Sequence, residues 1–377
     1  MAQGVLRELY KHGQSVWLDN ISREAIDSGH IARRLAQGVR GETSNPTIFH
    51  RAVTGSSVYD GLIADCASRG LSAEATYEEI ATRDVRDAAD LLRPVCDESD
   101  FRDGFVSLEV SPHLAHDADA TVADALRLHA KIDRPNVMIK VPATDEGFEA
   151  IGRLTRRGIC INVTLIFSGR QYRWSAKRYL EGATARLSAG GEVHHLTSVA
   201  SVFISRIDTL IDRLLEERAQ AHPADAERIL ALRGVAGVAN SKLIYRDFEL
   251  LAAASMEQDL CVCGGSVQRV LWASTSSKNP AYPDTKYVDD LVGRATVTTL
   301  PEETIDALLD HGEVRPDTVL RGRDEAYLHF IRLKELGIDP EAVFRRLLDE
   351  GVGKFAASYD ALVSAIGQRM EALAAKG

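Results

Sequence analysis

Short apolar runs alternate with longer amphipathic stretches along most of this chain. The short runs are rich in Val, Ile and Leu and end at Gly, Pro or polar residues, as strands do. The longer stretches repeat apolar residues every three or four positions, which is the period of a helix. Because the two kinds of element alternate, the pattern predicts a parallel sheet. The strands are predicted at 15–20, 41–46, 105–110, 136–142, 160–167, 197–204, 269–274 and 296–300.

Helices are predicted between most of these strands. Ser22 is a capping residue at the start of one helix, and Pro46 suits the first turn of another. The last helix is long and amphipathic, so it either covers the sheet or packs on a second subunit, and the sequence does not choose. The other helices are predicted at 1–14, 31–39, 73–96, 120–131, 144–157, 171–187, 209–219 and 237–256, and the last at 341–376.

Polar side chains occupy one face of several predicted strands. A parallel strand covered by helices on both faces would be almost continuously apolar. In an α/β barrel, by contrast, inward side chains at the carboxyl ends of the strands line the active site. We therefore expect a (β/α)8 TIM barrel with additional helices. Its cavity should hold an amine, two carboxylates, an amide and a hydroxyl, from Lys140, Asp19, Glu109, Asn162 and Thr164.

Lys140 is the most unusual of these residues, because it lies inside the apolar run 136–142. Lysine is rarely buried without a partner. On the strand alone, a lysine that reaches the strand end or pairs with a carboxylate explains the pattern as well as a functional amine does. Burial disfavours the charged form of an amine, and a neutral amine attacks carbonyls to form a Schiff base. The clustering of acids on neighbouring strands favours the functional interpretation over a set of buried salt bridges.

Composition and charge exclude several classes of protein. The chain has 377 residues and a formal net charge of -10, which argues against non-specific nucleic-acid binding. It contains no apolar run of ~18 residues and no N-terminal pattern of a secretory signal, so we expect neither a membrane span nor secretion. No Gly/Ser/Pro-rich linker divides it, which predicts a single domain over 1–377. No nucleotide-binding glycine motif follows the first strand.

The cysteines and paired histidines indicate no catalytic metal. Five scattered cysteines are typical of reduced thiols in a cytoplasm. Cys261 and Cys263 resemble half a metal site, but no second Cys/His pair at ligand spacing accompanies them. His194 and His195 lie in a polar loop without an acidic partner pattern, and we interpret them as structural.

Seven segments, in the right order, resemble those of the transaldolases. The resemblance runs from residue 5 to the end, and the chain length, the run at 272–275 and Asp-His-Gly at 310–312 are most similar to the bacterial, actinobacterial-type subgroup. The segments are Leu-Asp-Asn at 18–20, Thr-Ser-Asn-Pro-Thr at 43–47, Ser-Leu-Glu-Val at 107–110, Ile-Lys-Val-Pro-Ala-Thr at 139–144, Ile-Asn-Val-Thr-Leu-Ile-Phe-Ser at 161–168, Leu-Trp-Ala-Ser at 271–274 and Asn-Pro-Ala-Tyr-Pro-Asp-Thr at 279–285.

This resemblance implies an α/β barrel with a Schiff-base lysine on its fourth strand, and neither a metal nor an organic cofactor. Lys140 matches that lysine, Glu109 and Asp19 match two acid/base carboxylates, and Thr164 matches a hydroxyl that positions the catalytic water. The resemblance also implies two amides that hold substrate hydroxyls and three phosphate contacts. These substrate-binding residues are Asn45 and Asn162 for hydroxyls, and Ser201, Arg206 and Ser274 for phosphate.

One position departs from the family pattern. Ser111 follows Glu109-Val110 where many relatives have aspartate, which bears on the tuning of Glu109 but not on the reaction.

The implied reaction belongs to the non-oxidative pentose phosphate pathway. A dihydroxyacetone unit passes from sedoheptulose 7-phosphate to glyceraldehyde 3-phosphate, giving erythrose 4-phosphate and fructose 6-phosphate. Two alternatives remain: an aldolase or transaldolase-like enzyme acting on another ketose phosphate, and a sugar-phosphate sensor without turnover. The presence of both Lys140 and Glu109 disfavours the sensor. We expect sugar-phosphate substrates, no nucleic acid, no membrane, a cytoplasmic location and a monomer or homodimer.

Overall fold

Eight parallel strands close into a barrel in the computed structural model, which describes residues 4–255 and 259–375. Each strand pairs with its neighbours in chain order, and the eighth pairs with the first. The predicted (β/α)8 TIM barrel is therefore confirmed. Its strands are β1 Gln14–Leu18, β2 Glu42–Thr43, β3 Val106–Glu109, β4 Val137–Pro142, β5 Ile161–Ile166, β6 Ser198–Phe203, β7 Arg269–Ala273 and β8 Thr296–Leu300.

The helices surround this barrel. They are α1 Val5–Lys11, α2 Arg23–Asp27, α3 His30–Gln37, α4 Pro46–Gly55, α5 Asp60–Ser68, α6 Ala73–Glu98, α7 Ala118–Ile132, α8 Asp145–Arg156, α9 Gly169–Ser188, α10 Ser205–Ala221, α11 Ala226–Leu230, α12 Ala236–Ser255, α13 Asp259–Val262, α14 Lys286–Asp289, α15 Glu302–His311, α16 Arg323–Glu335 and α17 Pro340–Ala374. Residues 1–3, 256 and 376, which fall in predicted helices, lie outside the described residues. No helix of the described part is long and apolar enough to cross a membrane.

The cap predicted at Ser22 and the first-turn position predicted for Pro46 are both confirmed. Ser22 accepts a hydrogen bond from Ala25 N, and Asn45 accepts one from Ile48 N with Pro46 in the first turn.

Several helices were missed from the sequence, and α16 shows the reason. Tyr327, Leu328 and Ile331 are exposed apolar residues on this helix, whereas Ala326 and Leu333 are buried. Apolar residues therefore surround the helix instead of forming one stripe, and the period-3.6 signal is lost. Helices α5 and α15 were missed as well.

Helix α17 lies over the carboxyl-terminal face of the barrel. It packs on α4, α5, α6 and α10, and it approaches β5. At Gly351 an added Cβ would meet the side chain of Leu165 at 2.8 Å, so glycine lets the helix approach β5 without a shift of Leu165. Of the two positions that the sequence left open, the described chain shows the helix over the barrel mouth.

The opposite, amino-terminal face is closed by the loop that joins α6 to β3. Asp103, in this loop, accepts hydrogen bonds from Ser15 Oγ at 2.8 Å and from Trp17 Nε1 at 3.2 Å, both on β1. Arg40 Nε donates to the same carboxylate at 3.2 Å. Asp103 is fully buried, so this loop plugs the barrel floor with paired charges and hydrogen bonds.

Candidate active site

A cavity of about 550 Å³ opens at the carboxyl ends of the strands. Six residues predicted to form the site line it: Asp19, Asn45, Lys140, Ser201, Arg206 and Ser274. The other three predicted residues, Glu109, Asn162 and Thr164, are buried beside it on β3 and β5. The structure thus brings the predicted residues together at one end of the barrel, as strand parity and the barrel fold require.

Lys140 lies on β4 with only 4% of its surface exposed. Its Nζ donates a hydrogen bond to the carbonyl oxygen of Ser44, at 3.1 Å. Among the described residues, no carboxylate approaches this nitrogen within ion-pair distance. The amine is therefore held by a backbone carbonyl, and the interpretation of Lys140 as one half of a buried salt bridge is not supported.

Glu109 is the last residue of β3 and pairs in register with Lys140. Burial raises the pKa of its carboxyl to about 7, and the charge of Asp19 adds to this, while the charges of Lys140 and Arg206 oppose it. Its Oε2 is buried without a hydrogen-bond partner. A carboxyl with this pKa exchanges protons readily near neutral pH, which suits a general acid and base.

Asp19 follows β1 and is positioned by two threonines that sequence reasoning missed. Thr43 Oγ1 donates to Asp19 Oδ1 at 2.7 Å, and it also lies 2.6 Å from Thr299 Oγ1. Both threonines face the cavity. Thr43 faces inward like Asp19, and alternation along its strand could in principle have shown this. Because β2 has only two residues, the sequence shows no alternation there.

Asn162 is held from both sides inside the barrel. Its Nδ2 donates to Ser107 Oγ at 3.0 Å, and its Oδ1 accepts from Ser201 Oγ at 2.6 Å. A hydroxyl has one proton to donate. Because the proton of Ser201 is engaged with Asn162, Ser201 presents only acceptor capacity to the cavity.

Thr164 lies next to an irregularity in β5. The register of β5 and β6 shifts between Val163 and Ile166, and Leu165 has a positive φ of 60°. A bulge of this kind re-aims the neighbouring side chains and is frequent near active sites. Thr164 Oγ1 is buried without a hydrogen-bond partner. The hydroxyl can therefore still donate and accept hydrogen bonds with a water or a substrate atom.

Arg206 is a half-buried cation that lines the cavity. It lies on the first turn of α10, with its guanidinium 4.9 Å from the ring centre of Phe203 and 5.7 Å from that of Phe355, a residue of α17. Burial lowers the pKa of Arg206, while the charges of Glu109 and Asp19 oppose that shift. Its NH1 has no hydrogen-bond partner in the described chain. A half-buried guanidinium whose NH1 is an unused donor suits an anionic ligand group.

Ser274 adjoins this cation, because β7 and α10 meet at their ends. Its Oγ lies 2.9 Å from Ser205 Oγ, and its carbonyl accepts from Ser205 N at 3.0 Å. The φ of Ser274 is 54°, an uncommon value for a residue with a Cβ. This strain fixes a pair of hydroxyls at the start of α10.

Two cations that line the cavity, and an acid beside Ser111, were also not predicted. Arg51 and Lys278 line the cavity from α4 and from the loop after β7. Asp124, on α7, accepts a hydrogen bond from Ser111 N at 3.1 Å. A carboxylate from another element therefore lies beside the position where this chain has serine. No sequence signal marks these residues, since they come from loops and helix surfaces.

The prediction that His194 and His195 lack an acidic partner is wrong. Asp100 Oδ1 lies 3.2 Å from His194 Nε2 and 3.7 Å from His195 Nε2. Asp100 is far from the histidines in sequence, so only the fold could reveal it. This cluster lies on the amino-terminal side of the barrel, away from the cavity.

Nearly the whole chain is similar to known proteins of one family. The family model for Transaldolase/Fructose-6-phosphate aldolase matches residues 16–366. The chain is similar to "Transaldolase 1" of Streptomyces coelicolor, with 43% identity over 99% of this chain and 97% of the relative. It is also similar to "Transaldolase" of Thermobifida fusca, at 43% identity over 97% of this chain and 98% of the relative. A third relative, "Transaldolase" of Mycobacterium tuberculosis, is 44% identical over 95% of both chains.

Proposed function

This chain belongs to the transaldolase/fructose-6-phosphate aldolase family, and on that premise we propose that it is a transferase with transaldolase activity. It moves a dihydroxyacetone unit from sedoheptulose 7-phosphate to glyceraldehyde 3-phosphate. The products are erythrose 4-phosphate and fructose 6-phosphate, so the enzyme serves the non-oxidative branch of the pentose phosphate pathway.

The position of Lys140 carries this proposal. Its amine is buried, lines a cavity of about 550 Å³ and has a backbone carbonyl as its hydrogen-bond partner. An amine in this setting adds to the ketone of the donor to give a carbinolamine, which forms an iminium ion as the former ketone oxygen leaves as water. The iminium carbon accepts electrons when the neighbouring carbon–carbon bond breaks, and the three-carbon unit stays on Lys140 as an enamine.

Three other residues move the protons. Asp19, held by Thr43, takes the proton from the C4 hydroxyl as the bond breaks. Glu109 and Thr164 hold one water that shuttles protons while the imine forms and is lost. The raised pKa of Glu109, about 7, supports this role, because the carboxyl is then partly protonated at neutral pH.

The phosphate and the hydroxyls of the substrate bind at opposite sides of the cavity. Arg206 and Ser274 take the phosphate, because Arg206 has an unused buried donor and adjoins the hydroxyl pair at α10. Ser201, expected as a third phosphate contact, has its proton engaged with Asn162 and suits a substrate hydroxyl better. Asn45 uses its amide oxygen to cap α4, so its NH2 group holds a substrate hydroxyl.

The remaining expectations form part of the same proposal. The chain acts as one domain over 1–377, as a monomer or homodimer in the cytoplasm, on sugar phosphates and without nucleic acid or membrane partners. The reaction needs no metal or organic cofactor, since the lysine supplies the electron sink and the side chains supply the proton transfers.

Trapping of the Schiff base tests the proposal. Borohydride reduction in the presence of fructose 6-phosphate, followed by peptide mass mapping, should place one reduced adduct on Lys140. The variant Lys140→Ala should form none. Lys278→Ala, which removes the exposed lysine of the same cavity, is the matched control and should keep the adduct. A missing adduct in the unaltered protein, or one that survives Lys140→Ala, would overturn the mechanism.

Product analysis then separates transaldolase from aldolase. In the transaldolase, the enamine is captured by a second aldehyde, so free dihydroxyacetone should stay at a small fraction of the fructose 6-phosphate turned over. A coupled assay for dihydroxyacetone measures this directly. Stoichiometric release of dihydroxyacetone would identify the alternative activity, an aldolase with the same lysine.

A further inference from the structure

Two loops on the amino-terminal side of the barrel bring an acid and two histidines together. Asp100 lies immediately after α6, in the loop that plugs the barrel floor, and His194 and His195 lie before β6. Asp19 and Lys140, by contrast, lie at or near the carboxyl ends of their strands. The two ends of a barrel strand are ~17–20 Å apart. The cluster is thus separate from the candidate active site.

The donor atoms of the three side chains converge. Asp100 Oδ1 is 3.2 Å from His194 Nε2 and 3.7 Å from His195 Nε2, and one ligand atom from each residue lies within 4.8 Å of the other two. Bond lengths to zinc are about 2.0–2.2 Å for nitrogen and oxygen ligands. The two oxygen-to-nitrogen separations, 3.2 and 3.7 Å, therefore match the spacing of ligand atoms around one such ion.

The arrangement is held by contacts outside the donor set. The ring of His195 stacks on Phe101, with centroids 3.9 Å apart and planes inclined by 16°. Both Asp100 and Phe101 have positive φ values, 52° and 57°, and Phe101 N donates to Cys96 O at 2.9 Å. On the other side, a Cβ at Gly264 would come within 3.0 Å of His194 Nδ1. The left-handed backbone at Asp100 and the stacking of His195 on Phe101 thus orient these two side chains before any ion binds.

An ordinary surface ion pair does not account for this geometry. Elsewhere in the described chain, His30, His113 and His116 each contact one acid as single imidazoles. At Asp100, the Nε2 atoms of two adjacent imidazoles both approach the same carboxylate oxygen. A surface ion pair needs only one of them. The described residues contain no other group of three histidine, cysteine, aspartate or glutamate ligand atoms this close together.

We propose that Asp100, His194 and His195 bind a divalent transition-metal ion of the zinc class. Two imidazole nitrogens and one carboxylate oxygen suit Zn²⁺, Co²⁺ or Ni²⁺, whereas Mg²⁺ and Ca²⁺ prefer oxygen ligands. Water fills the remaining positions, since the side chains are exposed by 54% for each histidine and 69% for the aspartate. Neither Cys261 nor Cys263 belongs to the donor group.

The ion has a structural role that follows from the loops it joins. The loop with Asp100 also carries Asp103, whose buried carboxylate ties the barrel floor to β1. The other loop leads into β6, which carries Ser201. Metal binding therefore links the loop between α6 and β3 to the loop that leads into β6. It stabilises the folded chain by mass action and does not contact the reacting atoms.

Titration of tag-free, chelator-treated protein tests the site. Isothermal titration with ZnCl2 should give one saturable site per chain, and excess Zn²⁺ should raise the melting temperature by about 2–5 °C. MgCl2 should produce neither effect. Co²⁺ should give a visible absorption band of nitrogen and oxygen ligation without a sulfur-to-metal band.

Variants assign the ligands. Asp100→Asn and His195→Ala should each weaken Zn²⁺ binding by at least about 10-fold, as is usual when a metal ligand or its support is lost. Retained transaldolase activity shows that these variants are folded. The matched control is His311→Ala, which removes an exposed histidine that also contacts two acids, and it should bind Zn²⁺ normally. Absence of a one-to-one site, or equal binding in all three variants, would overturn the proposal.

Discussion

Glu109 and Lys140 lie directly opposite each other in the register of β3 and β4, and the carboxyl of Glu109 has its pKa raised to about 7. Burial is the main cause, so the acid loses its proton reluctantly although a lysine is adjacent. Near neutral pH the carboxyl is present in both forms. A single group can then give a proton in one step and take one in another, as imine formation and release require.

Replacement of this acid should separate catalysis from stability. Glu109→Gln is expected to lower kcat by about 10²–10⁴-fold, because the proton shuttle is lost. The folded state raises the pKa from 4.5 to about 7, so the carboxyl stabilises the fold fully below pH 4.5 and this contribution is lost as the pH rises through 7. The loss corresponds to about 3 kcal/mol.

Glutamine does not titrate, so the unfolding free energy of Glu109→Gln should rise relative to that of the unaltered protein as the pH increases. Urea denaturation at pH 5 and at pH 8 measures the difference in unfolding free energy between the two proteins. That difference should move in favour of Glu109→Gln by about 2–3 kcal/mol between these values. A difference that stays constant with pH would show that the carboxyl is not held in its neutral form.

Thr43 is expected to act on catalysis through Asp19. Thr43→Val removes the hydroxyl that donates to Asp19 Oδ1 and lies beside Thr299. A net hydrogen bond of about 1–1.5 kcal/mol corresponds to a decrease in kcat of roughly 10-fold. Because the role proposed for Asp19 is in bond breaking, KM for fructose 6-phosphate should change little. Thr43→Ser restores the hydroxyl and should recover most of kcat; failure of this rescue would mean that packing, not the hydrogen bond, is what matters.

Arg206 should determine affinity for the phosphate group. Arg206→Ala is expected to lower kcat/KM for fructose 6-phosphate by about 10–100-fold, since a hydrogen bond to a charged group contributes about 1.5–3 kcal/mol. Turnover of unphosphorylated fructose should change far less. Arg213→Ala alters an exposed arginine of the same helix and serves as the control. If activity fell equally with fructose 6-phosphate and with fructose, Arg206 would not act through the phosphate group.

Ser201 should be important for stability inside the barrel. Ser201→Ala removes the donor to Asn162 Oδ1 and leaves that buried oxygen without its partner. The expected cost is about 1–3 kcal/mol of unfolding free energy. Ser276→Ala, at a partly exposed serine of the same cavity, should cost under about 0.5 kcal/mol. Chemical denaturation of both variants measures the difference, and similar midpoints would contradict this account of Ser201.

Much of the barrel was predictable, because its strands have a strong local signature. Lys140 and Asn162 are polar residues in otherwise apolar runs, and a period of two places each on the inward face. The same rule failed to identify Thr43, since β2 has only two residues and gives no readable alternation. Long-range partners could not be predicted either. Nothing near Ser201 in the sequence indicates that its hydroxyl donates a hydrogen bond to Asn162.

The order of the eight strands, and the inward position of Lys140 and Asn162, were determined by the sequence alone, because hydrophobic periodicity is a local property of the chain. Only the tertiary structure decided that α17 covers the cavity, that Thr43 holds Asp19 and that Asp100 meets His194 and His195. These contacts join residues far apart in the chain, and their distances depend on how every intervening element packs.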